Sequence, residues 1–181
     1  YWFNRSTSLD YLLLFINGSI RTLLIIPVLG SHLAGAFVVA SFLQRNVADP
    51  AITSLSWLAV ASLFSVTLFV ADDASRFALH RLMHRWEPLW RLHKVHHSAS
   101  TLTPFTGFRV HPIESICYYA RGLFIFSVVA GIFIWLFKGK LTALEIMGVD
   151  ALGFVFNMAA ANLRHSHIYV SFGRFEAHVI S

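Results

Sequence analysis

Five of the chain's ten histidines lie between His80 and His97, in the order H-x3-H, eight residues, H-x2-H-H. Positions four apart on a helix share a face, so His80 and His84 can address one ion, and His93 with His96 or His97 can do the same one helix later. His96 and His97 are neighbours whose side chains diverge by about 100° around a helix axis. Two imidazoles aimed apart suit two ions better than one. A single histidine beside an apolar segment is ordinarily a headgroup contact, but five in this spacing are a metal-ligand pattern. Imidazoles without thiolates favour iron, zinc or copper over magnesium or calcium. The zinc-peptidase pattern H-E-x-x-H is absent, because Arg81 follows His80. A membrane haem would need axial histidines inside the apolar spans, where only His32 lies. Asp73 precedes His80 by two helical turns, where its carboxylate can accept the second ring N–H of a ligand and fix its tautomer. Asp72 beside it reads as a solvated helix end.

Two further constellations follow. Arg109-Val110-His111-Pro112-Ile113-Glu114 opens one apolar span, and Asn162-Leu163-Arg164-His165-Ser166-His167 closes the next. Two spans separate His97 from His165, an even number, so both return to the same side of a membrane. His111 reads equally as a ligand or as a donor to one. His165 suffices for the Asn-x-x-His-Ser pattern, which leaves His167 with a surface role, as for His178, while His32 reads as structural.

The elements that must position these residues are apolar. Of 181 residues, 56% are hydrophobic and 13% charged, against roughly 25% charged in an ordinary soluble domain. That excludes a water-soluble globule. Apolar stretches at 9–42, 51–71, 113–137 and 141–161 are near the roughly 20 residues that cross a bilayer as a helix. The expected fold is all-α, a polytopic membrane helical bundle of about four spans with a cytosolic-side histidine-rich metal cap. It forms one domain over 1–181: N-terminal spans 9–71, a histidine-box region 72–112 that is polar and basic, a helical hairpin 113–161 turned by Lys138-Gly139-Lys140, and the start of a C-terminal cap segment at 162–181. The first seventy residues add only hydrophobicity. In 9–42, Asn17, Arg21, Pro27 and Gly30 interrupt the run, which leaves one crossing or two open.

The net charge of +5 does not point to nucleic acid. Arg76, Arg81, Arg85, Arg91, Lys94 and Arg109 border apolar blocks, as cytoplasmic segments beside anionic lipid do. A single cysteine, Cys117, excludes an internal disulfide and any cysteine-rich zinc or iron–sulfur site.

His80-Arg81-Leu82-Met83-His84, Leu89-Trp90-Arg91-Leu92-His93-Lys94-Val95-His96-His97-Ser98, Arg109-x-His111-Pro112-x-Glu114 and Asn162-x-x-His165-Ser166 occur in this order, separated by apolar spans. Over about 73–181 the chain resembles the fatty acid hydroxylase / sterol desaturase superfamily. The resemblance implies a membrane-embedded oxygenase with two iron ions, zinc being a possible substitute in the same imidazoles. It implies that O2 is used to hydroxylate or desaturate a C–H bond of a lipid, whether fatty acyl, sterol or related. By position it assigns His80, His84, His93, His96, His97 and His165 as ligands. Asp73 matches the acid ahead of the first box, and His111, Glu114, Asn162 and His167 fall in the surrounding motifs. Ser75, Arg76 and Ala78 stand where aromatic residues are common in the family. The family's final H-x2-H-H box would follow the segment matching 172–181. The sequence, which begins with Tyr1 and has no visible signal peptide, is therefore expected to be an excerpt with an incomplete and inactive site.

Cleaving an unactivated C–H bond needs a redox-active metal, because zinc polarises water but cannot reduce O2. No G-x-G-x-x-G, C-x-x-C-H or cysteine cluster is present, so a separate electron-transfer protein is implied. The rival reading is a non-enzymatic histidine-rich metal-binding or transport protein. Transport calls for ionisable residues lining a path at mid-span, and Glu145, Asp150 and Asn157 drift around their helix instead. A zinc-dependent membrane hydrolase is a third possibility. Neither the lipid, nor the choice among hydroxyl, double bond and ether cleavage, nor the oligomeric state is encoded in any motif.

Overall fold

The computed structural model describes residues 2–48, 50, 55–101 and 103–137. The expected fourth span at 141–161, its 138–140 turn, and Asn162, His165 and His167 lie outside the described residues. Among the described residues the chain is all-helical, without strands. Its elements are α1 (Arg5–Ile20), a π-helical turn (Arg21–Ile25), α2 (Ile26–Leu29), α3 (His32–Asn46), α4 (Trp57–Arg85), α5 (Glu87–His93) and α6 (Pro112–Leu136), with 3-10 turns at His96–Ser98 and Thr106–Phe108. Three stretches, Arg5–Asn46, Trp57–Arg85 and Pro112–Leu136, are long and apolar enough to cross a membrane.

The interruptions expected in 9–42 act differently from one another. Asn17 stays inside α1, and the helix widens into its π-turn at Arg21–Ile25. Pro27 lies just beyond; its ring crowds the carbonyl four residues back and it offers no N–H, which disfavours regular α-helical bonding through Leu23. The helix ends at Gly30, whose φ of 84° is open to glycine and strained for other residues. Ser31 then caps α3, its Oγ accepting from the Ala34 N–H at 3.2 Å.

The described residues divide into two compact units. One gathers Tyr1–Ile25 and Phe77–Tyr118 and contains the histidine cluster. In the other, Val60, Phe64 and Leu68 form a stripe along α4, packed with Ala36 of α3 and with Ala130, Phe133 and Phe137 at the end of α6. The Phe64 and Phe133 rings meet edge-on at 5.2 Å. Close helix approach needs small residues. A Cβ on Gly131 would stand 2.5 Å from the Val39 Cβ and 2.9 Å from the Ala36 carbonyl oxygen. Outward-facing Phe15, Leu23, Val38 and Phe124 are each more than 65% exposed, as lipid-facing side chains are.

One expectation needs correction. α4 runs unbroken from Trp57 to Arg85 through the start of the polar stretch, so Asp72 is not a solvated helix end. It accepts from Arg121 Nη1 at 2.8 Å and from Arg76 Nη2 at 2.9 Å, and Arg121 also donates to Ser75 Oγ at 2.7 Å. A carboxylate within a long helix keeps its charge through such partners.

Candidate metal centre

The last turns of α4 supply His80 and His84, whose Nε2 atoms stand 3.1 Å apart. The helix stops at Arg85. Trp86 turns the chain with extended angles, and Glu87-Pro88 opens α5, proline being tolerated in a first turn that lacks backbone acceptors for its N–H. α5 lasts seven residues and delivers His93 at its end. Lys94 and Val95 keep right-handed helical angles into the 3-10 turn at His96–Ser98. The i, i+4 relation therefore survives although the helix does not, and His97 Nε2 lies 3.1 Å from His93 Nε2.

The two pairs meet. His93 has ring-centroid distances of 4.7 Å to His80, 4.8 Å to His84 and 4.9 Å to His97, and His84 is 4.9 Å from His97. His80, His84 and His93 each offer a nitrogen within 4.8 Å of the others, a group able to hold a metal ion. Both Nε2 pairs are 3.1 Å apart, so the two nitrogens of each pair are close enough to address one ion. His96 stacks on His93 at 5.5 Å and meets His97 edge-on at 5.3 Å, their ring planes 86° apart. Trp90 packs against the cluster, 5.4 Å from His84 and 5.6 Å from His97.

His93 is the buried member, with 2% of its side chain exposed. Glu114 lies in the first turn of α6, where acids are favoured by the helix dipole, and its Oε1 accepts from His93 Nδ1 at 2.7 Å. Holding the proton on Nδ1 leaves the Nε2 lone pair directed at the other imidazoles. Glu114 Oε2 is buried and has no hydrogen-bond partner among the described residues. One turn on, the Tyr118 hydroxyl is 3.5 Å from His80 Nδ1. Asp73 is half-buried on α4, seven residues before His80. His96, His97 and His111 are not part of the three-residue metal-capable group; His111 Nδ1 accepts from the Ile113 N–H at 3.2 Å and caps α6.

The first helix contributes more than hydrophobicity. Asp10 pairs with Arg109 at 2.5 Å, and Asn17 Nδ2 donates to the Val110 carbonyl at 2.9 Å. The available signal was an acid on the same helical face as Ser6 and Asn17, next to the apolar run Tyr11–Ile16.

Membrane-length apolar helices ending in a cluster of convergent imidazoles define an integral membrane protein with a histidine centre of metal-binding type. Residues 65–181 match the fatty acid hydroxylase family, and the chain belongs to it. Membership places the protein among oxidoreductases of the lipid hydroxylase or desaturase type. The chain matches no curated protein and no solved structure at a significant level.

Proposed function

We propose that the protein is a membrane-bound oxygenase that uses O2 and electrons from a separate electron-transfer protein to hydroxylate or desaturate a C–H bond of a lipid. Two iron ions would be held by His80, His84, His93, His96, His97 and His165. The observation that carries this reading is the meeting of two imidazole pairs, each 3.1 Å across, with Glu114 setting the buried His93. An all-imidazole donor set free of thiolates fits iron. Bound iron supplies the one-electron chemistry that O2 reduction and C–H cleavage require.

The chain's own residues do the rest. Glu114 keeps the His93 proton on Nδ1, and Trp90 packs beside His84 and His97. Arg81, Arg85, Arg91 and Lys94, interleaved with the ligands, favour a cytosolic face for the site. Hydroxylation consumes two electrons and two protons per O2 and releases one oxygen as water; desaturation releases both. That balance is why an external donor is part of the proposal.

The test is lipid profiling of cells expressing the full-length protein under 18O2, beside anaerobic cultures and the His80→Ala and His96→Ala variants. An O2-dependent product lost in both variants is expected, with label retained for a hydroxylase. Product formed without O2 would overturn the reading.

A further inference from the structure

Helix α1 lies outside the family-matched residues 65–181 and carries one acidic side chain, Asp10, which has no exposed surface. Its Oδ1 accepts from Arg109 Nε at 2.5 Å, and its Oδ2 accepts from Thr106 Oγ1 at 3.1 Å and Thr103 Oγ1 at 3.4 Å. Arg109 is itself 1% exposed. Its Nη2 donates to the Ser6 carbonyl and to Ser6 Oγ at 2.8 Å, and its Nη1 reaches Ser98 Oγ at 3.4 Å.

The segment bound in this way joins the two halves of the candidate centre. Ser98 directly follows His97, and Arg109 stands five residues before Glu114. Between them the only regular element among the described residues is the 3-10 turn Thr106–Phe108. Its local hydrogen bonds, such as Thr103 N–H to Thr106 Oγ1 at 2.9 Å and Arg109 N–H to the Thr106 carbonyl at 3.0 Å, hold the turn itself, and the bonds to Asp10 and Ser6 tie that turn to α1. Burying two ions costs several kcal/mol each unless geometry and additional hydrogen bonds offset it, so a buried pair is weak evidence for stability and better suited to fixing one arrangement.

We propose that Asp10 is a positioning residue for the histidine centre. By holding Arg109, Thr103 and Thr106, it fixes the 98–110 segment, and with it the His96–Ser98 turn at one end and Glu114 at the other. The inference rests on the reading of the cluster as a metal site.

The experiment is a cobalt(II) titration of the purified full-length protein in detergent, read by the ligand-field absorption of the bound ion. It compares the parent, Asp10→Asn, and the double variant Asp10→Asn/Arg109→Gln, alongside hydrogen exchange of the 93–99 amides. The double variant removes both charges together, so no unpaired ion is left to unfold the chain. Cobalt affinity of the folded fraction should fall about tenfold, the low end for groups that orient ligands. Exchange should rise at 93–99 while the 60–68 amides keep their rates. Unchanged affinity and unchanged exchange at 93–99 in well-folded variants would overturn the proposal and reduce Asp10 to a stability role. A parent protein that binds no cobalt, or binds it equally after His80→Ala, would instead overturn the metal-site reading and this inference with it.

Discussion

Replacing Glu114 by glutamine isolates the electrostatic share of one hydrogen bond. Glu114 Oε1 and His93 Nδ1 are 2.7 Å apart, with 1% and 2% of their side chains exposed, so water contributes little screening. A hydrogen bond to an ionised partner contributes about 1.5–3 kcal/mol. Glutamine keeps the length and can still accept the Nδ1 proton through its carbonyl, but the charge that makes the imidazole a stronger donor to metal is gone. At 1.4 kcal/mol per factor of ten, metal affinity should fall about 10- to 100-fold, the range found for outer groups of this kind. Chelator competition on the purified protein measures it, with the thermal midpoint recorded in parallel. Glu114→Ala should lose the same affinity and also stability, because it leaves a buried N–H unpaired at about 1–3 kcal/mol. If the glutamine variant binds metal as tightly as the parent, while alanine lowers only the thermal midpoint, the carboxylate is a packing group and the reasoning fails.

Two further outcomes separate neighbours that look alike in sequence. His97→Ala should abolish metal retention, whereas His111→Ala, which removes a cap on α6, should lower stability by about 0.5–2 kcal/mol and leave metal content intact; equal metal loss in both would contradict the geometry. Gly131→Val places its Cβ 2.5 Å from Val39 and should cost about 1–3 kcal/mol through overpacking, read as a lowered melting temperature in detergent; an unchanged value would contradict the close approach of the helices.

The histidine cluster was legible because its governing distances are local. An i, i+4 pair brings two imidazoles together whatever the rest of the chain does, and His93 with His97 keeps that relation even where α5 has ended. The helical spacing from Asp73 through His84 is local in the same way, and α4 runs through it to Arg85 before the chain turns extended at Trp86, ahead of Pro88. Asp72 was misread as a solvated helix end because its partner Arg121 lies 49 residues away. Asp10 is the plainest case of non-local information: the acid is visible in an apolar segment, but nothing nearby announces Arg109, 99 positions later. Spacing could suggest a carboxylate behind a ligand imidazole, yet Glu114 reaches His93 only because the segment between them folds back.

Recombinant work often trims a protein to the stretch a family profile recognises, and here that cut would be destructive. Starting at Ser65 would remove the first two turns of α4, strip Ala36 from its packing partners and strand a guanidinium in the interior with no counter-ion. The recognisable portion should therefore fail to fold on its own, and chimaeras with relatives should exchange the opening helix and the 98–110 segment as a single cassette.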